Sequence, residues 1–285
     1  MKVPTSFESI INNTSIITTT ATSSQSRSKK VQISVIIPVY NQEKKIALSL
    51  ARIKEVLNAT FLTYELVVVD DGSYDNTLKI LRKEEKKSDS HLQIISYVPN
   101  RGKGYAVKTG VMCSCGSVVI FVDGDLDISL DIIKDYIKEL EENCDLVIAS
   151  KTHPLSKVNA PISRKLLSRM FNLIVRIAIG IKIKDTQSGL KAGKGDALRT
   201  IFNAMLVKRY AFDVELLTIA TALSLSIKEM PIEINLDHRF KVRDITKMLV
   251  DVAAIMYRYR IRHWYQKQLL LEAAEAAEIQ NNYSR

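Results

Sequence analysis

Asp123, Asp125 and Asp127 alternate at the end of a run of five apolar residues, Val118 to Val122. In an extended chain alternate residues share a face, so the three carboxylates point the same way, off the edge where open α/β sheets place ligands. Carboxylates this close repel unless a cation sits among them, and hard oxygen donors select Mg²⁺ or Mn²⁺. A helix start competes with that reading, with Ser129 and Asp131 as cap and first turn. Three further polar clusters follow apolar runs: Val39-Tyr40-Asn41-Gln42-Glu43, Asp70-Asp71-Gly72-Ser73, and Asn100-Arg101-Gly102-Lys103-Gly104-Tyr105. In the last, two glycines and two cations suit a phosphate at a helix N-terminus. Neither the third glycine of a dinucleotide fingerprint nor the Gly-Lys-Ser/Thr of a P-loop is present, and a solvated turn fits as well.

The elements that must position these clusters read as alternating strand and helix. Apolar strands are expected at Ile33 to Ile37, Tyr64 to Val69, Leu92 to Val98, Val118 to Val122 and Asp145 to Ala149. Helical patterns separate them, at Lys45 to Leu57, from the Asp70 turn to about Lys87, up to Cys113, and from about Leu130 to Glu142. Such alternation predicts an α/β fold with a mainly parallel sheet covered by helices on both faces. A parallel sheet brings all four clusters to one edge and builds a single acidic, metal-competent, phosphate-accepting crevice.

The chain has 285 residues and 46% apolar content, enough for one α/β domain with an appendage. Its formal charge of +10 points to anionic company: nucleic acid, a phosphorylated substrate or a membrane surface. Cys113, Cys115 and Cys144 lack zinc spacing and read as thiols in a reducing compartment. No apolar run reaches the roughly 18 residues that span a bilayer. Residues 1–30 read as a disordered Ser/Thr-rich tail and 272–285 as a frayed C-terminal tail.

Two amphipathic stretches bear on location. Lys165, Arg169, Asn172 and Arg176 form one stripe of a helix whose remainder is covered by Leu166, Met170, Phe171, Leu173, Ile174, Ile177 and Ala178. That pattern suits a membrane interface and a core helix alike. The second stretch, 244–271, carries Met248, Val252, Ile255 and Tyr259 on one side and an aromatic-basic segment from Tyr257 to Lys267. Arg258, Arg260 and Arg262 beside Trp264 and Tyr265 suit a belt on anionic lipid, with a polar core helix as the competing reading. Together these features predict a protein held peripherally at the cytoplasmic face of a membrane.

With these residues in place, the chain resembles the family 2 glycosyltransferases, whose nucleotide-sugar-binding fold is called GT-A. The match rests on Ile36-Ile37-Pro38-Val39-Tyr40-Asn41 with Glu43, on Val68-Val69-Asp70-Asp71-Gly72-Ser73, and on Asp123-Gly124-Asp125 as the Asp-x-Asp motif. Within the family it is most similar to the polyprenyl (dolichyl) phosphate hexosyltransferases, through Asn100 to Gly104, Asp185 to Lys191 and Tyr210 to Leu217. The resemblance covers about Val31 to Arg243, so 31–243 is the expected catalytic domain.

The resemblance implies that Pro38, Tyr40, Asn41, Glu43 and Asp71 hold the base and ribose of a nucleotide, with Arg101 and Lys103 in the same nucleotide-sugar site. It implies that Asp123 and Asp125 hold Mg²⁺ or Mn²⁺ on the diphosphate, with Asp127 as a third carboxylate where mannosyl relatives often carry Gln. Gln187 would face sugar or acceptor. Asp185-Thr186-Gln187 and Phe212-Asp213-Val214-Glu215 are closer to the glucosyl type, which uses UDP-glucose, than to the mannosyl type with GDP-mannose. Arg239, Lys241 and Arg243 follow a strand-like Ile232 to Leu236. Alternating cations there share a face and suit the acceptor phosphate, while a solvated basic turn remains the plain reading.

A lipid monophosphate has a second pKa of about 6 and is a competent nucleophile without a strong base. The resemblance implies inverting transfer of a hexose to polyprenyl phosphate, with Asp125, Asp127, Gln187 and Arg239 as the expected catalytic set. Two alternatives compete: the same donor with a soluble sugar or glycan acceptor, and a basic nucleic-acid-binding protein that stacks bases on the Tyr/Arg-rich segment. The acidic crevice opposes the latter, so no nucleic acid partner is expected.

Overall fold

The computed structural model describes residues 17–18, 31–60, 62–87, 91–124, 132–235 and 242–271. Asp125, Asp127, Arg239 and Lys241 lie outside them, and Arg243 is described in its backbone only. The residues from 272 onward also lie outside.

The first half alternates as expected: β2 (Ile33–Val39), α1 (Ile46–Asn58), β3 (Tyr64–Asp70), α2 (Thr77–Lys87), β4 (Leu92–Ser96), α3 (Lys103–Cys113), β5 (Val118–Phe121), α4 (Ile133–Glu142) and β6 (Leu146–Ala149). Each strand is a short, β-branched run buried on both faces. In β2, Val35, Ile37 and Val39 pack under α1 while Ile36 enters the opposite core with Val67 and Val69. A half-solvated sheet would alternate apolar and polar side chains instead.

With β1 (Ile17–Thr18), β8 (Lys191–Lys194) and β9 (Ile227–Met230), strands run in the order β1-β4-β3-β2-β5-β8-β6-β9, and β4, β3, β2 and β5 are parallel neighbours. Two departures from the sequence expectation matter. Strand β8 (Lys191–Lys194) lies antiparallel between β5 and β6. Its sequence, Lys-Ala-Gly-Lys, has no β-branched residue and gave no strand signal. The strand expected at Ile232 to Leu236 is β10 (Glu233–Asn235), which pairs with β7 (Lys157–Asn159) outside the main sheet, while β9 (Ile227–Met230) takes the edge beside β6. Within the segment read as a tail, β1 (Ile17–Thr18) pairs antiparallel with Ser96 and Ile95.

The helices α5 (Ile162–Ile179), α6 (Gly195–Ala204), α7 (Phe212–Ala222) and α8 (Val242–Met256) complete the chain. A π-helical turn, Tyr257–Ile261, and a left-handed His263 break the C-terminal stretch before a last helical segment at 264–271. The single long helix expected over 244–271 is therefore two segments.

Candidate active site

Register decides which side chains meet. Pro38 pairs with Val69 and Val39 with Asp70, while Ile36 pairs with Phe121 and accepts the Val122 amide at 3.1 Å. The ends of β2, β3 and β5 thus lie level, and Tyr40, Asp71 and Asp123 leave the sheet at one edge. They open on a cleft of about 670 Å³ that also takes in Arg101 and Lys103 from the β4–α3 turn. Arg209 and Tyr210, before α7, and Lys247, Met248 and Asp251 of α8 form its far wall.

Asp71 organises the turn after β4. Its Oδ1 accepts the Arg101 amide at 2.8 Å, and its Oδ2 accepts the Gly102 amide and the Asn100 side-chain amide, each at 2.9 Å. Two of the backbone donors that suited a phosphate are thus taken by the protein's own carboxylate. Burial pushes the Asp71 carboxyl above its usual value, and the Arg101 and Gly102 amides pull against that. Gly102 sits at φ +99°, and a Cβ there would lie 2.6 Å from the Lys208 carbonyl. The turn requires glycine because it packs directly on the Lys208 backbone. Arg101 is held by its guanidinium bond to the Tyr105 hydroxyl at 2.7 Å and by the Tyr105 ring, 4.8 Å away.

Asp123 is the described member of the acidic triplet, and its carboxylate is ion-paired with the Lys103 ammonium. Among the described residues no three Asp, Glu, His or Cys side chains gather to hold a metal ion. The position nonetheless fits a cation: the carboxylate faces the cleft and already attracts the protein's own positive charge. With Asp125 and Asp127 next in the chain, the available donors are the hard oxygens that Mg²⁺ and Mn²⁺ take.

Of the other residues expected to face ligand, Pro38 and Tyr40 line the cleft, whereas Asn41, Glu43 and Gln187 are absent from its wall. Asn41 accepts the Tyr74 amide at 3.0 Å, and Glu43 accepts the Asn76 amide and side chain at 3.0 Å, so both serve the turn before α2. Gln187 sits beside Asp185, and its Nε2 is buried with no hydrogen-bond partner. Gln42 and Asn100 belong to the expected clusters, whereas Arg209, Lys247 and Asp251 were not anticipated. Arg209 adjoins the Tyr210 to Leu217 motif, but no local pattern marks Lys247 or Asp251, whose helix joins the cleft only through packing.

Beneath the cleft lie two buried ion pairs. Lys191 donates to Asp213 at 2.6 Å and to the Ser188 carbonyl at 2.5 Å. Burial lowers the Lys191 ammonium and raises the Asp213 carboxyl, and each opposes that change in the other. Lys151 pairs with Asp185 at 2.9 Å. Burial favours the neutral Asp185 acid, but Lys151 and the Gln187 amide together hold the carboxyl below its usual value. The Lys191–Asp213 pair therefore ties β8 to α7 under the site.

Part of the basic segment at the C-terminus turns inward, while Tyr257, Arg260, Ile261 and Arg262 stay exposed. Tyr265 is fully buried and donates to Glu215 Oε1 at 2.5 Å. Arg258 donates to the Tyr265 hydroxyl at 3.0 Å and to Glu215 Oε1 at 3.3 Å, and Arg260 donates to the Ile179 carbonyl at 3.2 Å. The α7 motif supplies the buried carboxylate that draws them in.

Residues 34–202 match the family described as "Glycosyl transferase family 2". A Dictyostelium discoideum protein named dolichyl-phosphate beta-glucosyltransferase is 30% identical over 82% of this chain and 76% of its own length. Proteins of the same name are 31% identical in Homo sapiens, over 83% of this chain and 78% of theirs, and 32% identical in Saccharomyces cerevisiae, over 81% and 76%. Among solved structures, glucosyl-3-phosphoglycerate synthase from Mycobacterium tuberculosis, in complex with Mn²⁺, UDP and phosphoglyceric acid, superposes with a TM-score of 0.60. It is 22% identical and covers 80% of this chain and 78% of that one, a likeness that bears on the fold.

Proposed function

Because the chain belongs to glycosyl transferase family 2, we propose that it transfers glucose from UDP-glucose to dolichyl phosphate, with inversion at the anomeric carbon. The observation that carries the reading is the convergence of Tyr40, Asp71, Arg101, Lys103 and Asp123 on one cleft. Relatives named for glucose and dolichyl phosphate, similar over more than four-fifths of the chain, support the choice of sugar and acceptor.

In this reading Tyr40, Gln42 and the Asp71-held turn receive the nucleoside. Asp123, with Asp125 and Asp127, would hold Mg²⁺ or Mn²⁺, which when bound supplies Lewis-acid stabilisation of the diphosphate leaving group. Lys103, already beside Asp123, places a fixed positive charge where negative charge develops. Arg209 and Lys247 offer cations on the far wall for the acceptor phosphate, together with Arg239, Lys241 and Arg243. The acceptor attacks as a dianion, so the protein has only to position it and keep water out. The net charge of +10 supports a site of action at the anionic cytoplasmic face of a membrane.

The test is incubation of the full chain with Mg²⁺, vesicle-borne polyprenyl phosphate and labelled UDP-glucose or GDP-mannose. Glucose label should enter the organic phase, and EDTA or Asp123→Asn should abolish its entry. Label from GDP-mannose alone, or label confined to a water-soluble product, overturns the assignment.

A further inference from the structure

Among the described residues, nothing covers a row of large apolar side chains on helix α5. Ile162, Leu166, Met170, Leu173, Ile174 and Ile177 are all exposed, from 42% at Ile174 to 84% at Ile162. At about 100° per residue they occupy roughly 120° of the helix circumference. The opposite side buries Phe171, Asn172, Val175 and Ile179. Lys165, Arg169 and Arg176, also exposed, run along the border between the two, and the helix has no Asp or Glu. Its roll is fixed: buried Asn172 accepts the Thr186 amide at 3.1 Å and the Thr186 hydroxyl at 2.8 Å, and Arg260 caps the Ile179 carbonyl. The apolar row is thus presented by packing, rather than by a loose helix.

We infer that this face of α5 docks the protein on an anionic lipid bilayer, with the apolar row in the acyl boundary and the basic row against headgroup phosphates. Charge selects this occupant over a second copy of the chain. A two-fold contact through the same face would set one basic row against the other with no carboxylate on either helix to offset them. An anionic bilayer complements both rows at once. Among the described residues no helix is long and apolar enough to cross a membrane, so α5 would lie in the interface plane. It packs against α8, whose Lys247 and Met248 line the cleft, and docking therefore holds that wall of the cleft beside the lipid.

The inference takes its purpose from a membrane-borne acceptor, but its test does not depend on the reaction. The full chain is sedimented with phosphatidylcholine vesicles containing no or about 30 mol% phosphatidylserine, without nucleotide. Leu166→Ser with Ile177→Ser should weaken binding roughly tenfold or more, whereas Leu48→Ser, an equally exposed apolar site on α1, should leave it unchanged. Replacing Lys165, Arg169 and Arg176 by Gln should remove the gain from phosphatidylserine. The unaltered chain supplies a readout without variants: its binding to anionic vesicles should fall as salt rises. Equal sedimentation of the apolar variant, salt-insensitive binding, or a lipid-free dimer dissociated by Ile177→Glu overturns the inference. Label transfer is scored separately, so docking and the proposed reaction fail independently.

Discussion

Helix α5 and the C-terminal segment from Val242 onward look alike in sequence, each amphipathic, basic and free of long apolar runs. The fold treats them oppositely. The C-terminal segment buries Met248, Val252, Ile255 and Tyr265 in the core and ties Arg258 to Glu215 and Arg260 to the Ile179 carbonyl, leaving Tyr257, Ile261 and Arg262 exposed. Helix α5 keeps its basic row and most of its apolar side chains outside. The difference lies in what waits opposite: Glu215 on α7 offers a buried carboxylate to Arg258 and Tyr265, and nothing comparable faces the outer side of α5 among the described residues. An amphipathic pattern states that a face needs covering. It does not state what covers it.

The sharpest way to break this contrast is at Glu215. Its Oε2 accepts the Leu206 and Val207 amides at 3.1 and 2.6 Å while its Oε1 holds Tyr265 and Arg258. Glu215→Ala strands these buried donors and should cost about 3 kcal/mol or more in chemical denaturation; a negligible loss would mean that the C-terminal segment is a detachable belt after all. Arg258→Met keeps the Tyr265 and amide bonds to Glu215 and should cost about 1.5 kcal/mol in the same assay. On α5 the expectation reverses, since Leu166→Ser with Ile177→Ser should shift stability by no more than about 0.5 kcal/mol for each exposed site. A large loss there would show that the outer face is covered in the folded state.

The smallest effect is one of pH. Burial raises the Asp251 carboxyl above its ordinary 3.8, against the opposing charges of Arg209 and Arg258. The folded state therefore keeps this proton to higher pH than the unfolded chain does. Its stabilising contribution is complete below pH 3.8 and is lost as pH rises through the raised value. Asp251→Asn should raise the urea midpoint slightly at pH 7, with the gain narrowing as pH falls below the carboxylate range. A gain that widens on acidification would place Asp251 in a stabilising ion pair instead.

The parallel half of the fold was legible because its cues are local. Short β-branched runs alternate with helical periods, and the polar clusters at their ends mark one edge of a sheet. Strand β8 was illegible for the converse reason, since Lys191–Lys194 becomes a strand only because β5 and β6 flank it with open hydrogen-bonding edges. At the site, Tyr40, Asp71, Arg101, Lys103 and Asp123 were foreseeable from their motifs. The same motifs include Asn41 and Glu43, which hydrogen-bond to the following turn and do not line the cleft, and they do not reach Arg209 and Lys247, which distant packing brings there.

By itself, the sequence determined that a mainly parallel sheet forms and that acidic and basic turns gather at its carboxyl edge. Periodicity and residue type are written within each segment, and the sheet brings those turns together. Only the tertiary structure decided that Asp71 clamps the Arg101–Gly102 turn, that Lys103 sits on Asp123, and that one basic helix turns its apolar side inward and the other outward. Those outcomes depend on which surface or charge arrives from far along the chain to oppose each group, and no local period carries that information.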